Sequence, residues 1–155
     1  MQKTVTPHTA AIAAPAGLSR TALIQRLAQF SQLVFGICVL LVFIGGKAAF
    51  AVNMVPEPFD KPFHAIVFAI FVVLLAASHP RWGWHAPPYH QRHRQNHRLW
   101  LVLCTLAACA LGAADEIHQL YLPGRSAGFD DWLADAFGAV LGAWAWARFV
   151  QHINR

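Results

Sequence analysis

Asp115 and Glu116 stand four and three residues before Gln119, so on a helix the three side chains share one flank, with His118 at its border. Carboxylates grouped in this way can give and take protons once partial burial and like-charge neighbours move a pKa toward neutrality. Pro123-Gly124 then stops the helix and turns the chain, which lets Arg125 fold back toward Glu116. A guanidinium offers a planar fork of donors that matches a phosphate or a carboxylate. Downstream, Asp131, Asp135, Gly138 and Gly142 fall on one helical stripe, and upstream Asp60-Lys61-x-x-His64 follows a proline-stiffened connection. These residues supply Glu116, His64 and Asp115 as candidates for acid/base work. Arg125, Gln119, Lys61, Asp60, Asp131 and Asp135 are the candidates for holding a ligand.

Some of the candidates also have a plainer role. Asp60 is placed to cap the second helix and Asp130 or Asp131 the fourth, because a carboxylate there accepts from exposed backbone N–H groups. For Asp130 capping is the favoured role. A lone histidine on an apolar helix is commonly a satisfied interior residue, and Gly138-x-x-x-Gly142 is a common packing device between membrane helices. Asp135 has no such plain role. Facing a tight helix contact, it must be protonated, hydrogen-bonded or paired with a cation, with Arg125 the nearest candidate in sequence and Lys61 the next.

The elements that carry these residues are apolar. Of the 155 residues, 57% are hydrophobic and 12% charged, and the apolar ones come in blocks rather than spread through a core. With flanks, each block reaches the ~20 residues that cross a hydrocarbon layer of ~30 Å as a helix. Transmembrane helices are expected at roughly 31–52, 62–79, 97–121 and 131–150. Too little polar sequence remains to clothe a water-soluble shell. The fold expected is an all-α integral membrane protein, a four-helix bundle spanning residues 30–150. Residues 1–29 form an amino-terminal tail, disordered at first and then a short helix that Ser19 could cap, lying at the interface or extending the first span. Residues 80–98 form a basic, His-rich loop, and 151–155 the carboxyl terminus.

Charge placement orients the bundle. Lys3, Arg20 and Arg26 precede the first span, Arg81, Arg92, Arg94 and Arg98 separate the second from the third, and Arg148 and Arg155 close the chain, with no Asp or Glu among them. The other two connections hold all seven acids against Lys61 and Arg125. By the positive-inside rule both termini and the middle loop face the cytoplasm of a bacterial inner membrane, and loops 53–61 and 122–130 face out. The net charge of +5 therefore reports membrane topology, and nucleic acid is not an expected partner. Ala49-Phe50-Ala51 resembles a signal-peptidase site, but the long approach, the long apolar run and adjacent Lys47 make the first span an uncleaved anchor.

No cofactor or metal is expected. The four histidines of the middle segment, His85, His90, His93 and His97, lack a carboxylate or cysteine beside them, and their Arg, Trp and Tyr neighbours suit the headgroup level of a bilayer. Cys38, Cys104 and Cys109 lie inside apolar blocks without CxxC spacing and read as packing residues. No Ser or Cys stands with a base, and HExxH and P-loop signatures are absent.

Asp60-Lys61-x-x-His64-x-x-x-Phe68, Glu116-x-x-Gln119-x-Tyr121-x-Pro123-Gly124-Arg125 and Asp131-x-x-x-Asp135-x-x-Gly138-x-x-x-Gly142 together resemble the VanZ-like family of small bacterial membrane proteins, over roughly residues 35–148. The tail and the His-rich loop lie outside the resemblance, and Asp135 departs from it, the family usually having Asn there. The resemblance implies a link to low-level teicoplanin resistance, the phenotype of the founding member, and implies no established reaction.

Three roles fit. The first is a site at the outer leaflet that binds or acts on an anionic lipid or lipid-linked envelope headgroup, membrane lipids and a lipoglycopeptide being the partners in view. The second is structural: the acid–arginine cluster holds the helices together as a buried network. A transporter or proton relay ranks last, since it would place its acids nearer the bilayer midplane. The Gly138/Gly142 stripe suits packing within the bundle or between two copies of the chain.

Overall fold

A computed structural model describes residues 19–45, 59–81, 84, 91–125 and 127–155, apart from the side chains of residues 45 and 91–94. Where the apolar runs are free of internal proline the chain closes into four helices: α1 (Arg20–Gly45), α2 (Asp60–Ala77), α3 (Gln91–Gln119) and α4 (Phe129–Ile153). The described residues hold no strand, and all four helices are long and apolar enough to cross a membrane. Even the shortest, α2, has 18 residues and so a length of about 27 Å.

The ends differ from expectation in instructive ways. α1 starts at Arg20, not near residue 31, because nothing from Thr21 to Phe30 breaks a helix; the short tail helix and the first span are one element. Ser19 does cap it, its Oγ accepting from the Ala22 N–H at 3.2 Å. α3 starts at Gln91, so the second half of the 80–98 segment is helical and His93 and His97 lie on one helix. The expected ends of the first span beyond Gly45, the possible cleavage site, Lys47, Glu57, His85, His90, most of the tail and the side chain of His93 lie outside the described residues.

Neither acidic cap forms. α2 has Phe59 at its N-cap and α4 has Gly128, each without a side-chain cap. Asp60, Asp130 and Asp131 stand instead inside the first turns, where they still complement the positive helix end but leave their carboxylates free to face other helices.

α2 and α4 run parallel and form the tightest contact. A Cβ added to Gly138 would overlap the Ala65 backbone, and one added to Gly142 the Ala69 backbone, so both positions require glycine for the helices to meet. α3 packs antiparallel against this pair. The shared core is Phe68, Phe71 and Val72 from α2, Cys104 and Ala108 from α3, and Ala139, Trp146 and Val150 from α4. α1 leans mainly on α2 through a stripe that includes Ala28, Ser31 and Phe35, with Phe35 edge-on to Phe71 at 5.6 Å. The outward faces are apolar as well: Phe30, Leu41, Ile66, Leu106, Phe137 and Trp144 are each about 60% exposed, a surface suited to hydrocarbon rather than water. The three thiols are unpaired, as small packing residues should be.

Candidate functional site

The ends of α2, α3 and α4 that face away from the described termini converge on one polar cluster. α3 delivers Asp115, Glu116 and Gln119, all buried on the flank that their spacing demands. Gln119 Nε2 donates to Asp115 Oδ2 at 3.0 Å and reaches Glu116 Oε1 at 3.5 Å. Past the helix the chain tightens through Tyr121 N–H to His118 O and Leu122 N–H to Gln119 O, and Gly124 takes a left-handed φ of 78°. The loop returns so that the Gly128 N–H donates to Glu116 Oε2 at 2.7 Å. A carboxylate of α3 thus receives an amide at the start of α4, the end of the helix dipole that favours negative charge.

α2 and α4 supply the centre. His64 Nδ1 lies 2.9 Å from Asp135 Oδ1, and Asp135 is fully buried. His64 Nε2 points the other way, 3.8 Å from Asp60 Oδ1, an i,i+4 neighbour on its own helix. Asp135 Oδ2 is enclosed, without a hydrogen-bond partner among the described residues. Room for it comes from Gly112: a Cβ there would lie 2.7 Å from Oδ2. At the rim Lys61 Nζ pairs with Asp130 Oδ2 at 2.8 Å and lies 3.7 Å from Asp131 Oδ1. Below the cluster Trp132 Nε1 donates to the Cys109 carbonyl at 3.0 Å, tying α4 to α3.

His64 therefore belongs to two groups of three. With Asp60 and Asp131, and again with Glu116 and Asp135, it presents one nitrogen or oxygen per residue, all within 4.8 Å of one another. Half-buried in this way, one imidazole among several carboxylates can hold or transfer a proton, and its carboxylate partner fixes which ring nitrogen faces outward.

The cluster joins His64, Asp60, Lys61, Asp115, Glu116, Gln119, Asp131 and Asp135, which the sequence marks as candidates. The partner of Asp135 is His64, not the Arg125 or Lys61 that chain proximity suggested. Arg125 sits half-buried in the loop, its amide bonded to Leu122 O. His118 turns away from the cluster toward α1, its ring 5.4 Å from that of Phe43. The legible signal for the His64–Asp135 pair was a second small-residue stripe. Ala65-x-x-x-Ala69 in α2 mirrors Gly138-x-x-x-Gly142 in α4, and docking the two stripes in parallel brings His64 beside Asp135.

Four apolar helices carrying a buried histidine–carboxylate cluster at one end define a small polytopic membrane protein with a polar terminal site. The chain belongs to the VanZ/LLP1 family, whose model matches residues 9–150. That match is longer than the resemblance over 35–148 and takes in most of the tail and the whole His-rich segment. No curated protein and no solved structure matches the chain.

Proposed function

We propose that the chain is a multi-pass protein of the bacterial cytoplasmic membrane, with both termini cytoplasmic, whose cluster at the outer face engages an anionic lipid or lipid-linked envelope headgroup. The observation that carries this reading is the His64–Asp135 pair at 2.9 Å, placed within the bundle beside Glu116 and opening through His64 Nε2 toward Asp60 and Asp131. Ionisable groups inside membrane helices are expensive and mark functional sites by default. Lys61 at the rim and Arg125 in the loop supply the cationic side of recognition, and His64 and Glu116 the groups that can move a proton. Family membership makes altered sensitivity to teicoplanin the phenotype to examine.

One observation favours a purely structural role instead. Glu116 is already occupied by the Gly128 amide and by Gln119, as a packing network would have it. Copurified lipid decides between the two. Protein purified from membranes and analysed by mass spectrometry should carry one enriched anionic species, which Glu116→Gln and Arg125→Lys lose while keeping normal abundance and helicity. Variants that keep the lipid, or that vanish from the membrane altogether, support the packing role.

A further inference from the structure

The acids of this cluster outnumber its cations, and the imbalance is sharpest where water is scarcest. Glu116 is 7% exposed and Asp135 not at all, and both face the one imidazole of His64. One imidazolium beside two buried carboxylates leaves negative charge at that point, and Asp135 Oδ2 has no hydrogen-bond donor among the described residues. Lys61, the rim cation, is turned to Asp130. From this arrangement we infer that His64, Glu116 and Asp135 hold a divalent first-row transition cation, a site that the sequence did not lead one to expect.

The geometry and the donor chemistry agree. Two ligands at about 2.0–2.2 Å from one ion lie roughly 2.8–3.1 Å apart at a right angle and 3.3–3.6 Å apart at a tetrahedral one, so the hydrogen-bonded 2.9 Å between His64 Nδ1 and Asp135 Oδ1 needs only a small opening, with loss of the shared proton, to admit an ion. A third donor from Glu116 falls within 4.8 Å of both. One ligand from each of α2, α3 and α4 clamps the three helices at the same level. An imidazole with two carboxylates suits Zn²⁺ or Mn²⁺ and discriminates against Mg²⁺ and Ca²⁺, which take oxygen ligands. The outer supports are in place as well: Gly128 N–H and Gln119 already orient Glu116, as groups behind a ligating carboxylate do. Such an ion would leave coordination positions toward the rim, where Asp60 and Asp131 stand, and an oxyanion could complete them. Cation binding itself does not depend on the headgroup reading.

The test uses the full chain in detergent or nanodiscs, stripped with a chelator and titrated with Zn²⁺ and with Mn²⁺, with Mg²⁺ as comparison. About one equivalent of Zn²⁺ or Mn²⁺ per chain is expected by elemental analysis, with affinity lowered at least tenfold in His64→Gln and in Glu116→Gln. The double variant His90→Ala/His93→Ala should bind like the wild type. X-ray absorption of the Zn²⁺-loaded wild type, which needs no variant to fold, should show about one imidazole among oxygen donors. Binding that is lost in the His90/His93 variant, a spectrum with two or more imidazoles, or no binding above trace each overturns the inference, the last meaning that the carboxylates share a proton. Lipid analysis of the same samples keeps the two readings apart: ion without lipid defeats the headgroup role alone, and lipid without ion defeats the cation alone.

Discussion

The two ends of the bundle solve one problem with different chemistry. At the end where α2 stops, its last carbonyls need donors, and neutral groups provide them: Trp84 Nε1 to Ala77 O at 2.8 Å, Trp100 Nε1 to Ala76 O at 3.1 Å, and Gln32 Nε2 to Ser78 O at 3.2 Å. Asn154 closes the corner by donating to the carbonyls of Trp84 and Val150. The arginines there, Arg20, Arg81 and Arg98, are exposed, and burial pushes the pKa of His79 below its usual value. At the opposite end the buried polar residues are Asp115, Glu116, Gln119 and Asp135. Indoles and amides suffice to finish helices in this fold. Of the buried acids at the other end, Glu116 meets an exposed N–H at the start of α4, whereas Asp135 lies inside α4 and is bonded to His64, a costly charge that no helix end calls for.

That contrast can be broken by experiment. The largest effect should come from removing one member of the buried pair. Asp135→Leu removes the hydrogen-bonded partner of His64 Nδ1 and should destabilise the protein by about 2–3 kcal/mol, measured by thermal or denaturant unfolding in detergent. The double variant His64→Leu/Asp135→Leu should recover much of this stability and none of the function. Recovery of both would make the acidic end as structural as the neutral one. Gly138→Ala comes next: its methyl meets the Ala65 backbone directly beneath the cluster, so a loss of about 1–3 kcal/mol is expected, together with weakened ligand binding at the acidic end.

At the neutral end the changes should be smaller and functionally silent. Trp100→Phe removes one indole donor and should lower stability by about 1 kcal/mol without touching lipid or metal content. A functional loss there would show that the two ends are coupled. Ser19→Ala removes an exposed cap and should cost about 0.5 kcal/mol, visible as fraying at the start of α1 in hydrogen exchange.

The spans were legible because apolar runs of sufficient length have few alternatives, and the flank shared by Asp115, Glu116 and Gln119 was legible because helical spacing is local. The helix starts were less so. Ser19 announced its cap, yet Asp60, Asp130 and Asp131, equally good capping residues, yielded the N-cap positions to Phe59 and Gly128. Lys61 of another helix competes for Asp130 and Asp131, and His64 lies within reach of Asp60. Asp135 could be recognised as needing a partner, but proximity along the chain pointed to Arg125 and Lys61.

By itself the sequence determined four membrane-length helices, family membership, the acidic character of one end, and the glycine stripe that demands a close neighbour. Tertiary structure alone decided who that neighbour is. α2 docks parallel to α4 with Ala65 against Gly138 and Ala69 against Gly142, and this register sets a histidine against a buried aspartate 71 residues away. The physical reason is that composition and spacing report what each helix must bury, whereas the pairing of two buried polar groups depends on how two backbones without intervening side chains slide into contact.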